Sequence, residues 1–470
     1  MARFPIVARR PAAAVFSGLI VMSGGTPAMA AADDNLAGIR NEIMQLRQEY
    51  ETKIKDLEDR LAKAEADAQA VRAAAAAAQA ETMTVQAVPP PPSANIPAPP
   101  GPSGSPTQTN LFNPNVSAVL NGFYSAATHD PSTAAIPGFA LGDEARGIPR
   151  GFSLGESEIN LNANIDPFLF GWLNLSFPDK DHVSVEEAYL QTTSLGEGLT
   201  IKAGEFFSGI AYLNEQHSHN WSFSDASLPY RVFLNGQYGD MGVQARWLAP
   251  TNIFLEFGAE AFRGDAYPSG GAANNGMGTQ TFFVHTGDDI NESSSWLLGL
   301  SYLHANSNRR ETTSDVLPGT GDVFSGSDDL GIISLVYKWA PGGNLLLRNL
   351  ILSGEFFFDR EDGSFNGVRL KDYDRTGWYL QGAYQFMPRW SFGLRYAQLG
   401  TNGVSQGLKG STLDDLGRIP RAESALLEFD TSEFGRLRLQ YTHDDSNVQP
   451  LDQVLLQYTI IYGPHPAHRY

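Results

Sequence analysis

The sequence predicts an all-β transmembrane antiparallel β-barrel of about 16 strands, preceded by an N-terminal α-helical coiled coil. Three observations predict it. After Val116 apolar residues recur at every second position, the connections between these runs are alternately tight and long, and residues 36–71 carry apolar side chains at alternating steps of three and four. The first two patterns belong to a sheet with one face in lipid and the other in a lumen, the third to a helix with a partner-seeking seam.

The 470-residue chain divides into four segments. Residues 1–30 read as a secretory leader: Arg3, Arg9 and Arg10 make a basic start, 12–22 an apolar core, and Ala28-Met29-Ala30 a cleavage site. Residues 31–83 read as a periplasmic coiled-coil helix, with Leu36, Ile39, Ile43, Leu46, Tyr50, Ile54, Leu57 and Leu61 on the seam. Two successive steps of four, Leu46 to Tyr50 to Ile54, form a stutter. Glu49 with Lys53 and Glu51 with Lys55 have the i, i+4 order that supports a helix. Continued to Ala80 the helix would be roughly 65 Å long at about 1.5 Å per residue. Its seam requires partner helices and so implies a homo-oligomer. Residues 84–110 hold Pro89-Pro90-Pro91-Pro92 and five further prolines after them, an extended spacer. Residues 111–470 are the expected outer-membrane barrel.

A formal net charge of -19 argues against nucleic acid as a partner. The absence of cysteine excludes disulfides and thiolate metal sites. A mean hydropathy of -0.24 is unremarkable for a barrel, whose strands average lipid-facing and lumen-facing residues.

Within the barrel Ile159, Leu161, Ala163 and Ile165 alternate with Glu158, Asn160, Asn162 and Asn164; Met241, Val243 and Trp247 alternate with Gln244 and Arg246. Tight turns are expected at 166–167, 195–198, 249–252, 341–344, 387–389 and 432–435. Long outer loops are expected at 126–151, 208–234, 264–278, 306–329, 360–374 and 400–421. Short periplasmic turns and longer outer loops are the asymmetry of outer-membrane barrels. Counting from 116–124 to 452–462 makes 208–234 the third outer loop, between the fifth and sixth strands.

That loop is long, polar and aromatic. Asn214, Glu215, Gln216, His217, His219 and Asp225 are expected to line a wet constriction, with Tyr212, Trp221, Phe223 and Tyr230 packing it to the wall. By the alternation Lys202, Arg246, Arg395, Arg436 and Arg438 point inward, as do Glu158, Glu256, Glu260, Glu428 and Asp430. They either set a transverse field across the pore or pair with one another. Glu186 and Glu187 are adjacent and cannot both face the lumen without a β-bulge or a subunit contact. His217-x-His219 suits a borderline metal such as zinc, with Glu215 or Asp225 as third ligand. His465 and His468 form a second pair on the periplasmic side. No nucleophile triad or phosphate-cradling loop stands out, and no enzyme activity or resident cofactor is expected.

The barrel resembles the Gram-negative outer-membrane porins, broadly the group of the phosphate-selective porins O and P. The segments 113–122 (NPNVSAVLNG), 153–166 (SLGESEINLNANID), 186–193 (EEAYLQTT), 204–221 (GEFFSGIAYLNEQHSHNW), 246–260 (RWLAPTNIFLEFGAE) and the terminal GPHPAHRY are similar to a family of uncharacterised outer-membrane proteins. Some members of that family are labelled zinc-regulated TonB-dependent receptors. Such receptors need a plug domain and about 22 strands; here the coiled arm and linker occupy the plug's place. In layout the chain is similar to sugar porins with a periplasmic coiled coil. The resemblance implies an oligomeric outer-membrane porin, with a trimer favoured, that admits small hydrophilic solutes by passive diffusion and contacts outer-membrane lipid. The alternatives are zinc uptake through the loop histidines and an envelope tether in which the periplasmic arm meets the cell wall.

Overall fold

The computed structural model describes Lys55, which is helical and exposed, and residues 114–179, 182–270, 276–313 and 321–463. The expected leader, the rest of the coiled-coil arm, the linker and the His465/His468 pair lie outside the described residues. Among the described residues the chain forms one closed antiparallel barrel of 16 strands. In chain order these are β1 (Asn115–Ala127), β2 (Gly151–Ser153 and Ser157–Asn164, one interrupted strand), β3 (Leu169–Asp179), β4 (His182–Thr192), β5 (Leu199–Phe207), β6 (Gly239–Leu248), β7 (Phe254–Phe262) and β8 (Thr279–Asn291). The second half continues with β9 (Ser294–Thr313), β10 (Gly321–Trp339), β11 (Asn349–Phe365), β12 (Val368–Met387), β13 (Trp390–Thr401), β14 (Arg421–Ser432), β15 (Gly435–Asp444) and β16 (Leu451–Tyr462). Each strand pairs with its sequence neighbours, and β1 closes the ring on β16 from Ala118↔Tyr462 to Ala127↔Gln453. The ring has no free strand edge, as a sheet in lipid requires.

The alternation read from the sequence becomes two surfaces. On β6, Met241 and Val243 are 54% and 52% exposed, whereas the intervening inward residues Gln244 and Arg246 are 1% and 4% exposed. Leu437, Leu439 and Tyr441 on β15, and Val454, Leu456 and Tyr458 on β16, continue the apolar exterior. Aromatic pairs mark the rims: Trp247–Phe257 and Trp390–Phe429 beside the short turns, and Tyr124–Phe152 at the opposite end. An apolar belt with aromatic borders and a polar inner wall is the surface a lipid bilayer selects.

Two of the expected long loops are largely strand. Residues 306–329 belong mostly to β9 and β10, and 360–374 to β11 and β12, whose hairpin tip is Asn366-Gly367. These hairpins rise beyond the apolar belt. Their outer faces meet water there, while the buried inner faces carry Ser307, Arg310, Thr312, Asp322 and Asp328, so polar residues replace the lipid-facing ones and the hydrophobic contrast that marks a strand disappears.

Two of the loops fold into the lumen and fill part of it. The first outer loop contributes Ile136, Phe139 and Leu141, and the third contributes Ile210, Leu213, Trp221, Tyr230 and Phe233. They pack against the inward side chains Phe262, Phe283, Leu330, Phe357 and Tyr379. A smaller cluster joins Ala140 of the first loop to Phe324, Phe365 and Tyr373 on the tall hairpins and to Leu408 and Leu413 of the loop 402–420. In that loop Lys409 Nζ lies 2.8 Å from Asp414 Oδ1 and Gly410 N–H donates to Oδ2 at 2.8 Å, which together hold the Asp414 carboxyl below its ordinary range.

One inward position shows how tightly this filling fits. Gly258 on β7 lies under the ring of Phe283, which stacks on His285 at 4.9 Å and takes the Arg246 guanidinium over its face at 4.8 Å. A Cβ at 258 would enter the ring. At Gly122 on β1, by contrast, a Cβ meets nothing within 4 Å. Gly258→Ala is therefore expected to lower stability by about 1–3 kcal/mol through overpacking. Gly122→Ala should change it by less than about 0.5 kcal/mol. Urea titration of protein refolded into lipid vesicles measures both.

Candidate functional site: the third outer loop

Residues 208–238 connect β5 to β6 and form the third outer loop, L3. Its base is closed by the Ser208 amide, which donates to Tyr238 O at 3.0 Å. Asn214 then locks it: Nδ2 donates to Ser208 O at 2.9 Å and to Tyr238 O at 2.8 Å, while Oδ1 accepts from Tyr238 N at 2.7 Å. Asn214 is 0% exposed, so its expected place on an aqueous lining is corrected: a side chain that satisfies the loop's own backbone has no face left for water. Within L3 a short helix, α1 (Leu228–Phe233), begins with Pro229 in its first turn and buries Leu228, Tyr230, Val232 and Phe233. Trp221, Phe223 and Tyr230 are buried as the aromatic pattern suggested, and Tyr212 packs at the edge of the same cluster.

L3 bonds to the wall on several sides. Gly209 N donates to Glu260 on β7 at 2.9 Å and Ala211 N to Ser301 on β9 at 3.2 Å. Glu355 on β11 accepts three bonds, from Tyr212 N at 2.7 Å, from Tyr230 Oη at 2.6 Å and from Tyr379 Oη at 2.6 Å. Ser224 N donates to Gln440 on β15 at 2.9 Å, and Arg438 Nη2 to Trp221 O at 2.6 Å. On β2–β4, His219 Nδ1 lies 2.8 Å from Glu158, His217 Nε2 lies 3.2 Å from Glu187, and Ser218 Oγ donates to Glu156 at 2.6 Å.

The inward charges are paired. Arg246 binds Glu215 and Glu256, the latter at 3.1 Å; Arg395 binds Asp225 at 2.5 Å; Arg438 binds Glu428 at 2.5 Å with Arg436 at 3.6 Å from the same carboxylate. Arg436 also donates to the His219 carbonyl. Lys202 lies over the Tyr189 ring at 4.6 Å and the Phe206 ring at 5.0 Å. These pairings correct the expected third metal ligand. Glu215 and Asp225 are held by Arg246 and Arg395 rather than by the histidines, because a guanidinium offers a carboxylate a charged, forked donor. The His217 and His219 rings are stacked at 5.7 Å, and each is engaged by carboxylates of the wall.

Glu186 is the extra residue of a β-bulge: Asn174 on β3 faces Glu187, and Leu175 faces Val185. The bulge turns both Glu186 and Glu187 inward, where both reach His217. Among functional residues that sequence reasoning did not name are Glu355, Asn174 and Glu156. A second inward group was also missed, in which Arg375 binds Asp359 at 2.5 Å and Glu361 at 2.9 Å, and Arg310 reaches Asp328 at 3.4 Å. The signal was present for Glu355: a carboxylate at the head of the apolar run Phe356-Phe357-Phe358 must find donors when it is buried.

A closed antiparallel barrel with an apolar exterior, a charged inner wall and a long loop bonded across its lumen has the architecture of a transmembrane β-barrel. No protein-family profile matches the chain. It is 28% identical over 340 residues, covering 68% of this chain and 70% of the relative, to an uncharacterised protein of Aquifex aeolicus (strain VF5). Three solved structures are similar to it at low identity. The trimer form of in-vitro folded OmpT, an outer membrane protein of Vibrio cholerae, has a TM-score of 0.47 at 9% identity, covering 74% of this chain and 99% of that one. An anion-selective porin from Comamonas acidovorans has a TM-score of 0.46 at 11% identity, covering 74% and 99%. The outer membrane channel DcaP of Acinetobacter baumannii has a TM-score of 0.46 at 10% identity, covering 74% and 97%.

Glu355 is the acceptor for two L3 donors, the Tyr212 amide and the Tyr230 hydroxyl, and for the wall hydroxyl of Tyr379. Glu355→Ala removes the acceptor of the buried Tyr230 hydroxyl and of the Tyr212 amide, and about 1–3 kcal/mol of loop anchoring is expected to be lost. Limited proteolysis of the folded protein should then cut within 208–238 at least about tenfold faster than in wild type. Glu215→Ala, which leaves Arg246 paired with Glu256, should cut at nearly the wild-type rate.

Proposed function

We propose that the protein is an outer-membrane porin through which small hydrophilic solutes diffuse passively, with L3 at residues 208–234 narrowing the passage. The observation that carries this reading is the set of bonds from one outer loop to strands on several sides of the barrel, β2 and β4, β7, β9, β11, β13 and β15. A loop held that way limits what can pass, while a 16-strand ring is wide enough to hold water beside it. The coiled-coil segment 31–83 would strengthen a homo-oligomer, a trimer in this reading, from the periplasmic side, and the barrel would carry no enzymatic activity.

The pairs at the loop also bear on what passes. In three of them the base is the more enclosed partner: side-chain exposure is 4% for Arg246 against 19% for Glu215, 6% for Arg395 against 24% for Asp225, and 2% for Arg438 against 15% for Glu428. Arg231 with Asp444 and Arg436 with Glu428 run the other way, at 12% against 7% and 22% against 15%; with the acid the more open partner in the three closest pairs, the balance favours cations. In planar bilayers the folded protein should give stepwise ohmic conductance, with a reversal potential in a KCl gradient of the sign for K⁺ preference. Neutralising Glu215, Glu256 and Glu428 together to Gln should move that potential toward or past zero. No conductance steps from folded, inserted protein would remove the channel reading; an anion-selective wild type would remove the polarity argument alone.

A further inference from the structure

Where L3 meets β2–β4, three strands converge on one imidazole. His217 Nδ1 lies 3.3 Å from Glu158 Oε2 and 3.2 Å from Glu186 Oε2. Asn174 Nδ2 lies 2.8 Å and 2.5 Å from the same two oxygens and 3.4 Å from Nδ1. On the far side of the ring, Nε2 lies 3.2 Å from Glu187 Oε2. A histidine whose Nε2–H donates to a carboxylate presents the Nδ1 lone pair at its other edge, the arrangement in which outer carboxylates orient metal-ligating histidines. Nδ1 faces two carboxylate oxygens, a contact that requires either a proton on Nδ1 or a cation between them.

Two further atoms point the same way. Asn174 is 0% exposed and the Glu186 side chain 7% exposed, yet Asn174 Oδ1 and Glu186 Oε1 have no hydrogen-bond partner in the protein. Turning the Asn174 amide by half a rotation brings Oδ1 to the corner that Nδ2 occupies, against the two carboxylates and Nδ1. Oδ1 would then stand 2.8 and 2.5 Å from the two carboxylate oxygens, closer than a coordination edge, so a bound ion would spread this corner by about 0.5–0.8 Å. The His217–carboxylate separations of 3.2 and 3.3 Å match the ligand–ligand edge, about 3.3 Å, of a tetrahedral ion with bonds of about 2.0 Å. The three titratable ligand atoms all lie within 4.8 Å of one another.

We propose that Glu158, Glu186 and His217, with the side-chain carbonyl of Asn174, form a binding site for a borderline divalent cation of the zinc class, which pins L3 to the wall of β2–β4. One imidazole with carboxylate and amide oxygens suits such an ion better than Ca²⁺, which takes six to eight oxygens. His219 stands outside the set: its Nδ1 holds the second oxygen of Glu158 at 2.8 Å and so fixes that carboxylate. The ion is a tie between loop and wall, and its binding does not depend on what the lumen passes.

The test uses full-length protein folded in detergent, stripped with EDTA and titrated with Zn²⁺ against a chromophoric chelator, with heat-modifiable gel mobility reporting that each barrel is folded. Wild type should bind a single ion that survives His443→Gln and the pair His465→Ala/His468→Ala. Glu186→Gln, His217→Gln and the milder Asn174→Ala should each weaken binding about tenfold or more. Zn²⁺ should also slow proteolysis within L3 in wild type and not in His217→Gln. Folded wild type that binds no Zn²⁺, or equal binding by wild type and the Glu186→Gln/His217→Gln double variant, overturns the site. Bilayer conductance is not a readout here, so the channel reading and the metal site fail separately.

Discussion

Closure of the backbone hydrogen-bond ladder is the constraint from which the rest of this structure follows. Lipid offers no partner for an unpaired amide, so β1 must find β16 and the sheet can have no edge. A ring of this many strands encloses more space than its own inward side chains can fill. The first and third outer loops supply what is missing, and they carry their own polar backbone with them. Every buried peptide group of L3 must then be satisfied inside the barrel. Asn214 does this within the loop, and Glu260, Ser301, Glu355 and Gln440 do it from the wall.

The same logic explains the inward charges. An arginine enclosed beside aromatic rings is tolerable only with a carboxylate against it. Arg246 lies over Phe283 and takes Glu215 and Glu256; Arg395 lies over Phe223 and takes Asp225. Each guanidinium packs over an aromatic ring while its acid stays closer to water. Charge in this lumen therefore serves first to seat the loop, and the field that any solute meets is what remains exposed after that seating.

Much of the frame was legible in the sequence, because lipid enforces a strict contrast between neighbouring residues. Met241, Val243 and Trp247 against Gln244 and Arg246 could be assigned to faces without a structure, and counting turns put residues 208–234 in the right connection. The adjacent Glu186 and Glu187 signalled a bulge that is present. What was not legible has two causes. Above the belt, Ser307 to Thr313 and Gly321 to Asp329 are strands whose outer face meets water and whose buried inner face carries Ser307, Arg310, Thr312, Asp322 and Asp328, so polar residues occupy both faces and there is little contrast to read. Inside, Phe283, Leu330 and Phe357 point inward although they are apolar, because their neighbours are loop side chains rather than solvent. The partners of L3 were invisible for a third reason: Glu355 is 125 residues from Tyr230, and no local pattern encodes such a meeting.

The bulge on β4 has a wider effect than the contacts it makes. Before it, the odd-numbered Val183 and Val185 face outward; after it, the even-numbered Leu190 does. The strand thus changes phase at Glu186. Inserting or deleting one residue between 186 and 190 would be a frameshift in space, sending Tyr189 and Gln191 into the bilayer and Leu190 into the lumen. Chain length in this strand is consequently fixed to the single residue, even though many of its individual side chains could be exchanged.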